Sequence, residues 1–318
     1  MTAKLHSGVL AGMALLLGSA LASAGLTLSP VRSIELPDDL TAKPIPKWEN
    51  GYIVRYEIEP VAAVVAYDRN GRRLFRTPLS FPEAERVLPS GVAASRDGRF
   101  AVHGSAFHAD GLVVPFVAWL DAAGRITRVL RWTDYAPFQL CFAPDGTLWM
   151  AGWALRRPGE ETLPDHDILR AYAPNGELKV TALPFSSFAT SARRHPAKES
   201  RLVANDKTLL FYSRTAGEWV TLSFDGEILS RSPVPPPRPD IDILTGFVLA
   251  PDSSVYLSAQ MRLDGRKRGS SVLRWDKATG AWREILYDNT GVVAVFGAEG
   301  DQLIVSRRLP QFDWVRID

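Results

Sequence analysis

Two long polar segments, 153–170 and 185–201, hold most of the side chains that could bind a ligand. Their candidate site residues are Arg156, Arg157, Asp165, His166, Arg193, Arg194 and His195. Paired arginines hold carboxylate or phosphate groups through bidentate hydrogen bonds, so we expect a polar rim that binds an anionic group. The alternative is that the two segments are solvated loops whose opposite charges neutralise one another.

Reactive patterns are otherwise absent from the sequence. The histidines at 103, 108, 166 and 195 lack the close spacing of a zinc site, and we expect them to be scattered surface residues. Neither a Gly-x-Ser-x-Gly nucleophile elbow nor a phosphate-binding Gly-rich loop occurs. We therefore predict no catalytic residue, no metal ligand and no cofactor.

The elements that must position these residues are hairpins that repeat along the chain. Each consists of two apolar runs joined by a tight turn, as in "CFAPDGTLWMAG" (141–152). Residues that accept positive φ angles mark these turns. The markers are Asn50, Asp97, Asp145, Asp206, Asp252 and Glu299, at spacings of 47, 48, 61, 46 and 47 residues. A period in this range is the signature of a repeat architecture.

A second hairpin series interleaves with the first and is marked by glycine turns. The glycines stand at 71, 124, 176, 226 and 280, and an aromatic residue precedes each turn. An aromatic binding stripe is one explanation for those residues. Packing between neighbouring sheets is the explanation that we favour, because burying large flat side chains stabilises such sheets.

Each period thus holds four strands, and the inner strands are apolar at consecutive positions, as expected for strands covered on both faces. We predict an all-β fold: a six-bladed β-propeller with four antiparallel strands per blade. The chain ends on a third strand, "FDWVRI" (312–317), and we expect "VRSIEL" (31–36) to complete the last blade and close the ring. Both long polar segments should then project from the same face.

The composition and the N-terminus bear on the cellular compartment. Residues 1–24 have the positive start, apolar stretch and Ala-Ser-Ala end of a secretory signal peptide, so we expect a single propeller domain over 25–318 that is periplasmic or secreted. Cys141 is the only cysteine and cannot form an internal disulfide. Loss of Lys4 leaves a formal charge of +1, which disfavours nucleic acid as a partner. We expect a monomer without a membrane span in the mature chain.

Two hairpins, "LPSGVAASRDGRFAVHG" (88–104) and "LTGFVLAPDSSVYLSA" (244–259), resemble blades of the NHL-like six-bladed propellers. In outline the chain is also similar to the gluconolactonase and senescence-marker type, a resemblance that implies a divalent metal at the propeller axis. Glu49 stands near the first-blade glutamate of that family. Phe138-Gln139 stands where the family has an asparagine, so its metal motifs are not matched.

Our functional expectation is an exported, non-catalytic propeller. It would bind a small molecule, a peptide or an envelope protein at its loop-rich face, and its partner is unknown. The alternative is a metal-dependent hydrolase of the lactonase or esterase type, with a divalent metal in the central channel.

Overall fold

The structure is a computed structural model that describes residues 30–37, 46–155, 165–188, 195–197, 199–237, 241–262, 268–288, 293–307 and 309–316. The predicted signal peptide lies outside these ranges. Within them, the structure contains no apolar helix of the length needed to span a membrane. A three-residue 3₁₀ turn, Phe185–Ser187, is the helical element of the described chain.

The described chain forms 24 strands. The first eight are β1 (Pro30–Glu35), β2 (Lys47–Glu49), β3 (Tyr52–Glu57), β4 (Ala63–Tyr67), β5 (Arg73–Pro78), β6 (Arg86–Ala94), β7 (Phe100–Phe107) and β8 (Val113–Leu120). The next eight are β9 (Ile126–Arg131), β10 (Tyr135–Phe142), β11 (Leu148–Ala154), β12 (Asp167–Tyr172), β13 (Leu178–Pro184), β14 (Ser200–Ala204), β15 (Leu209–Ser213) and β16 (Glu218–Leu222). The last eight are β17 (Ile228–Pro233), β18 (Ile241–Leu249), β19 (Val255–Arg262), β20 (Arg268–Asp276), β21 (Ala281–Asp288), β22 (Ala294–Glu299), β23 (Gln302–Ser306) and β24 (Gln311–Arg316).

These strands build six antiparallel four-stranded sheets, which confirms the predicted six-bladed β-propeller. Blades 1 to 5 are β2–β5, β6–β9, β10–β13, β14–β17 and β18–β21, and blade 6 has the order β22, β23, β24 and β1. The six predicted inner hairpins join the first and second strands of the blades, and the five glycine hairpins join the third and fourth strands. All five marker glycines have positive φ angles, between 63° and 85°.

Strand β1 closes the ring as predicted. It pairs antiparallel with β24, and Ile34 lies opposite Phe312. The Arg32 guanidinium lies 4.5 Å from the Trp314 ring centroid, and the Ser33 hydroxyl donates to Asp313 Oδ1 at 2.6 Å. Closure with one strand from each end of the sequence removes an unpaired sheet edge.

The hydrophobic core lies between the blades. Trp119 of blade 2 contacts Tyr172 of blade 3 edge-on at 6.4 Å between ring centroids, and Trp219 of blade 4 contacts Trp275 of blade 5 at 4.8 Å. Three of these four rings belong to the aromatic series that precedes the glycine turns. Their contacts confirm that this series packs neighbouring sheets together. The Cys141 side chain is buried and free, as expected.

The first innermost strand, β2, begins at Lys47, directly after Pro46. A proline has no N–H to donate to a sheet, so the strand starts after it.

The two ends of the propeller differ. We call the end that carries the hairpin turns the hairpin face. The opposite end carries the connections between second and third strands and between blades, and we call it the loop-rich face. The described residues Asp165, His166 and His195 belong to the loop-rich face, because they lie in the connections that follow β11 and β13.

Candidate functional site

A cavity of about 910 Å³ occupies the central channel, and the innermost strands of all six blades line it. Cavities that hold small ligands are about 300–1,000 Å³. One lining residue from each innermost strand, in blade order, is Lys47, Gly91, Gln139, Arg201, Thr245 and Phe296.

β-Bulges shape the wall of this channel. In blades 2, 3, 5 and 6 the pairing of the innermost strand shifts by one residue. The extra residues are Ser90, Phe138, Thr245 and Phe296, and all four line the cavity. A bulge redirects side chains relative to a regular strand, so these shifts determine which groups face the channel.

Innermost-strand residues of blades 2 to 5 define one level of the channel. These residues are Gly91, Gln139, Arg201 and Gly246, and each pairs with the fourth residue of the following strand. Thr245 directly precedes Gly246, and His103 pairs with Gly91. We call His103, Gln139, Arg201 and Thr245 the polar ring, and all four line the cavity.

The His103 imidazole lies over Gly91. A Cβ atom at residue 91 would stand 2.4 Å from His103 Nε2, so only glycine leaves room for the ring. The side chain is 2% exposed, and its Nε2 has no hydrogen-bond partner among the described residues. An unpaired buried polar atom costs about 1–3 kcal/mol.

His103 is neutral at physiological pH. Burial, aided by the Lys47 charge, lowers its pKa to about 4, while a hydrogen bond to the Phe138 backbone acts in the opposite direction. That hydrogen bond involves Nδ1, because Nε2 forms none. With Nδ1 protonated, Nε2 carries a lone pair, so this nitrogen is a hydrogen-bond acceptor and not a donor.

Arg201 supplies positive charge to the same level. Its Nη1 donates to the Ser200 carbonyl at 2.8 Å and its Nη2 donates to the Leu244 carbonyl at 3.1 Å. A guanidinium has five N–H donors, so these bonds use two of them. The nearby acid Glu199 forms its ion pair with Arg214, at 3.4 Å, and no ion pair joins Arg201 to a described acidic residue. Burial lowers the pKa of the Arg201 guanidinium, but an arginine remains charged at neutral pH.

Lys47 and Glu49 carry charges that balance each other. Lys47 Nζ lies 3.1 Å from Glu49 Oε1 and donates to the Leu140 carbonyl of blade 3 at 2.9 Å. The Ala94 N–H of blade 2 donates to Glu49 Oε2 at 2.7 Å. Burial raises the pKa of Glu49, although Lys47 and the backbone bond oppose that shift. This pair ties blade 1 to two other blades, whereas Arg201 is a charge of the polar ring that forms no ion pair with a described acidic residue.

Ion pairs bridge blades on the hairpin face. Arg96 in the turn of blade 2 pairs with Asp206 in the turn of blade 4, across an intervening blade. Arg69 of blade 1 pairs with Glu299 of blade 6 at 2.6 Å. These residues all line the cavity at this end. The ion pairs therefore tie the turns of several blades together around the hairpin-face end of the channel.

Three of the predicted site residues meet on the loop-rich face. His195 Nε2 and His166 Nε2 are 3.1 Å apart. The Ala197 N–H donates to His195 Nδ1 at 3.1 Å, so His195 Nε2 carries the proton and donates to His166. Asp165 accepts hydrogen bonds from the Ser186 hydroxyl at 2.7 Å and the Ser186 N–H at 2.9 Å, and these bonds lower its pKa. Arg156, Arg157, Arg193 and Arg194 lie outside the described residues.

An aromatic chain connects this histidine pair to the channel. Phe185 stacks on both His166 and His195, with ring centroids 5.4 and 4.9 Å away. Trp153 contacts His195 edge-on at 5.6 Å and Phe138 at 3.9 Å. Phe138 is itself part of the channel wall, so two aromatic rings, Trp153 and Phe138, separate His195 from the cavity.

The expectation of scattered surface histidines was wrong for two of the four. His103 and His195 are 2% and 4% exposed. Burial, together with the charge of His166, lowers the pKa of His195 to about 4. The hairpin and loop positions of these residues indicated exposure, but close packing on Gly91 and on Phe185 buries them.

Metal-ligating side chains do not converge in the described part of the molecule. No group of three or more His, Cys, Asp or Glu residues there is placed to hold a metal ion. Glu49, the carboxylate closest to the gluconolactonase pattern, is engaged by Lys47 and by the Ala94 backbone.

Comparison with known proteins supports the fold. No protein-family profile matches the chain, and no curated protein matches it significantly. Among solved structures, it is similar to a Bacteroides fragilis protein designated as exported (9% identity, 89% of this chain and 84% of that one, TM-score 0.52). It is also similar to a Bacteroides vulgatus member of the DUF4221 family (12% identity, 91% and 97% coverage, TM-score 0.51).

A Bacteroides uniformis chain designated a 6-phosphogluconolactonase is a more distant match (16% identity, 81% and 74% coverage, TM-score 0.44). At these identities the similarities concern the fold alone. The six four-stranded sheets establish the β-propeller architecture, and membership of the NHL-like group stays a prediction. The function has to be argued from the channel and the loop-rich face.

Proposed function

We propose that this protein is an exported, non-catalytic binding protein that holds a small molecule in its central channel, entered from the loop-rich face. The observation that carries the proposal is the channel cavity of about 910 Å³, whose wall contains a buried His103 Nε2 with no described partner and an Arg201 without a described acidic partner. Polar groups of this kind are retained where a ligand satisfies them.

A small molecule fits this site better than a peptide or an envelope protein does. The polar ring lies inside the channel, where a folded partner has no access, and the cavity matches the size of small-ligand pockets. Asp165 and His166 stand on the loop-rich face, where they would contact an entering ligand, and His195 is buried beside His166.

Export is proposed on the basis of residues 1–24, whose pattern is that of a signal peptide. Intact-mass measurement on protein expressed from the full-length sequence should give a chain that starts at Gly25. A chain of full mass in the cytoplasmic fraction would contradict export.

The proposed function is tested by blocking the channel. Ser90 is a bulge residue that lines the cavity and has an exposed side chain, so Ser90→Trp places an indole inside the channel without displacing buried groups. Ser230 is exposed on the outermost strand of blade 4, and Ser230→Trp makes the same chemical change outside the channel.

The assay is a thermal-shift screen of the mature protein against a library of small polar metabolites. We expect compounds that stabilise the natural protein and the Ser230→Trp variant but not the Ser90→Trp variant. Stabilisation of all three proteins by the same compounds would place binding outside the channel. A library without any stabilising compound would argue against a small-molecule binder.

A further inference from the structure

We propose that the channel ligand is a small hydroxylated organic anion, whose carboxylate or phosphate binds Arg201 and whose hydroxyl group donates a hydrogen bond to His103 Nε2. This inference rests on the proposed function and names the chemical class of the ligand. It follows from the chemistry of two groups in the channel wall. The Arg201 guanidinium forms no ion pair with a described acidic residue, and His103 Nε2 has no described hydrogen-bond donor.

Arg201 specifies the negative charge. Two of its N–H groups donate to the Ser200 and Leu244 carbonyls, which fixes the position of the guanidinium at the channel wall. The remaining donors suit an oxygen anion, because guanidinium groups bind carboxylate and phosphate in a bidentate manner. The other channel cation at this end of the strands, Lys47, is already paired with Glu49 at 3.1 Å.

His103 specifies a hydrogen-bond donor on the ligand. Its Nε2 is buried and has no hydrogen-bond partner among the described residues, and the imidazole lies over Gly91 at the wall of the cavity. The other ring nitrogen is held by the Phe138 backbone, so Nε2 is the free acceptor. A ligand hydroxyl satisfies this acceptor, whereas a second anionic group would not.

The polar ring places these two groups for one ligand. Arg201 and Gly91 occupy equivalent positions in blades 4 and 2, so Arg201 and His103 approach the channel at one level from different sides. Gln139 of blade 3 stands between them at the same level, and its amide both donates and accepts hydrogen bonds. A molecule with an anion at one end and hydroxyl groups along its length matches this order.

The test is isothermal titration with matched pairs of sugars. Galacturonate and galactose differ by the carboxylate, and glucose 6-phosphate and glucose differ by the phosphate. We expect the mature protein to bind at least one of the two anions. Its affinity for the neutral counterpart should be lower by a factor of about ten or more, because charge-assisted hydrogen bonds are roughly twice as strong as neutral ones. The pair that binds identifies the anionic group.

Variants assign the contacts. Arg201→Gln removes the charge and should lower affinity for the bound anion about tenfold or more, and Arg201→Lys should recover part of it as a point charge without the planar fork. Gly91→Ala leaves His103 in the sequence but forces a methyl group against its Nε2, and should weaken binding of the same anion. Arg125→Gln is the matched control, since the Arg125 side chain is exposed, pairs with Asp121 and does not line the cavity.

Three results would overturn the inference: equal affinity for the charged and neutral sugar of both pairs, undiminished binding by Arg201→Gln, or no binding of any of the four sugars. Unfolding midpoints of each variant show that a loss of binding is not a loss of folding. The Ser90→Trp screen judges the proposed function separately. Binding of neutral compounds in the channel would support the proposed function but contradict the proposal that the ligand is an anion.

Discussion

Ring closure by β1 predicts that Leu36 contributes far more to stability than its place near the start of the described chain suggests. Leu36 directly follows β1 and is 2% exposed. Its N–H donates to the Pro310 carbonyl at 3.2 Å, and its side chain belongs to the cluster that includes Trp48, Phe312 and Trp314. The residue therefore fastens the first strand to both blade 6 and blade 1.

The magnitude follows from the burial of the side chain. Leu36→Ala removes three buried carbon atoms, worth roughly 2.4 kcal/mol at about 0.8 kcal/mol per buried CH₂. A cavity term adds to this, and buried Leu→Ala changes cost about 2–5 kcal/mol in total. We expect a loss of about 3 kcal/mol in the free energy of unfolding, because the neighbouring chain end relaxes part of the cavity.

The assay is equilibrium urea unfolding of the mature protein, monitored by tryptophan fluorescence. Val31→Ala is the matched control, because Val31 belongs to β1 and is 54% exposed. We expect the control to lose less than about 0.5 kcal/mol. Equal stabilities of the Leu36→Ala variant and the natural protein would refute closure of the ring by β1.

Two further predictions concern protonation and metals. His103 and His195 have pKa values of about 4 in the folded protein, whereas an ordinary histidine has a pKa of 6.5. Below pH 6.5 the unfolded chain therefore binds more protons than the folded protein does. The free energy of unfolding should consequently fall as the pH drops from about 6.5 to about 4. Urea midpoints across this range should fall less steeply for His103→Leu than for the natural protein, and parallel curves would contradict the assigned shift. A chelator should leave the thermal midpoint of the purified mature protein unchanged, because the described residues offer no convergent set of metal ligands. One divalent ion per chain, removed by the chelator with a lower midpoint, would instead favour the metal-dependent hydrolase.

The blade architecture could be predicted from the sequence because its signals are local. Turn residues such as Asn50, Gly98 and Gly124 adopt the positive φ angles that tight hairpins require, and the regular spacing of the turns indicates the repeat. The closing strand could be predicted as well. A last blade without a fourth strand leaves an unpaired edge at β24, and the segment that forms β1 supplies the missing strand.

The polar ring could not be predicted by the same reasoning. Bulges at Ser90, Phe138 and Thr245 shift the strand register by one residue, and a one-residue shift reverses which side chains face the channel. A signal was nevertheless present. Arg201 stands five residues before its turn marker Asp206, close to the position of Gly91, Gln139 and Gly246, which stand six residues before theirs.

The loop-rich face was predicted in part. The connection lengths placed Asp165, His166 and His195 together, because both long segments leave the sheets at the same end. Their packing could not be read from the sequence, since the stacking of Phe185 on both imidazoles depends on the 3₁₀ turn at Phe185–Ser187. The four arginines of these segments remain a prediction.

The most direct test of ligand binding in the channel is a crystal structure of the mature protein grown with the sugar anion that binds in the titration. We predict electron density for the ligand at the level of the polar ring. Its anionic oxygens should lie within about 2.7–2.9 Å of Arg201, and a hydroxyl should lie within hydrogen-bond distance of His103 Nε2. Ligand density confined to the outer surface, with water alone between Arg201 and His103, would contradict the account.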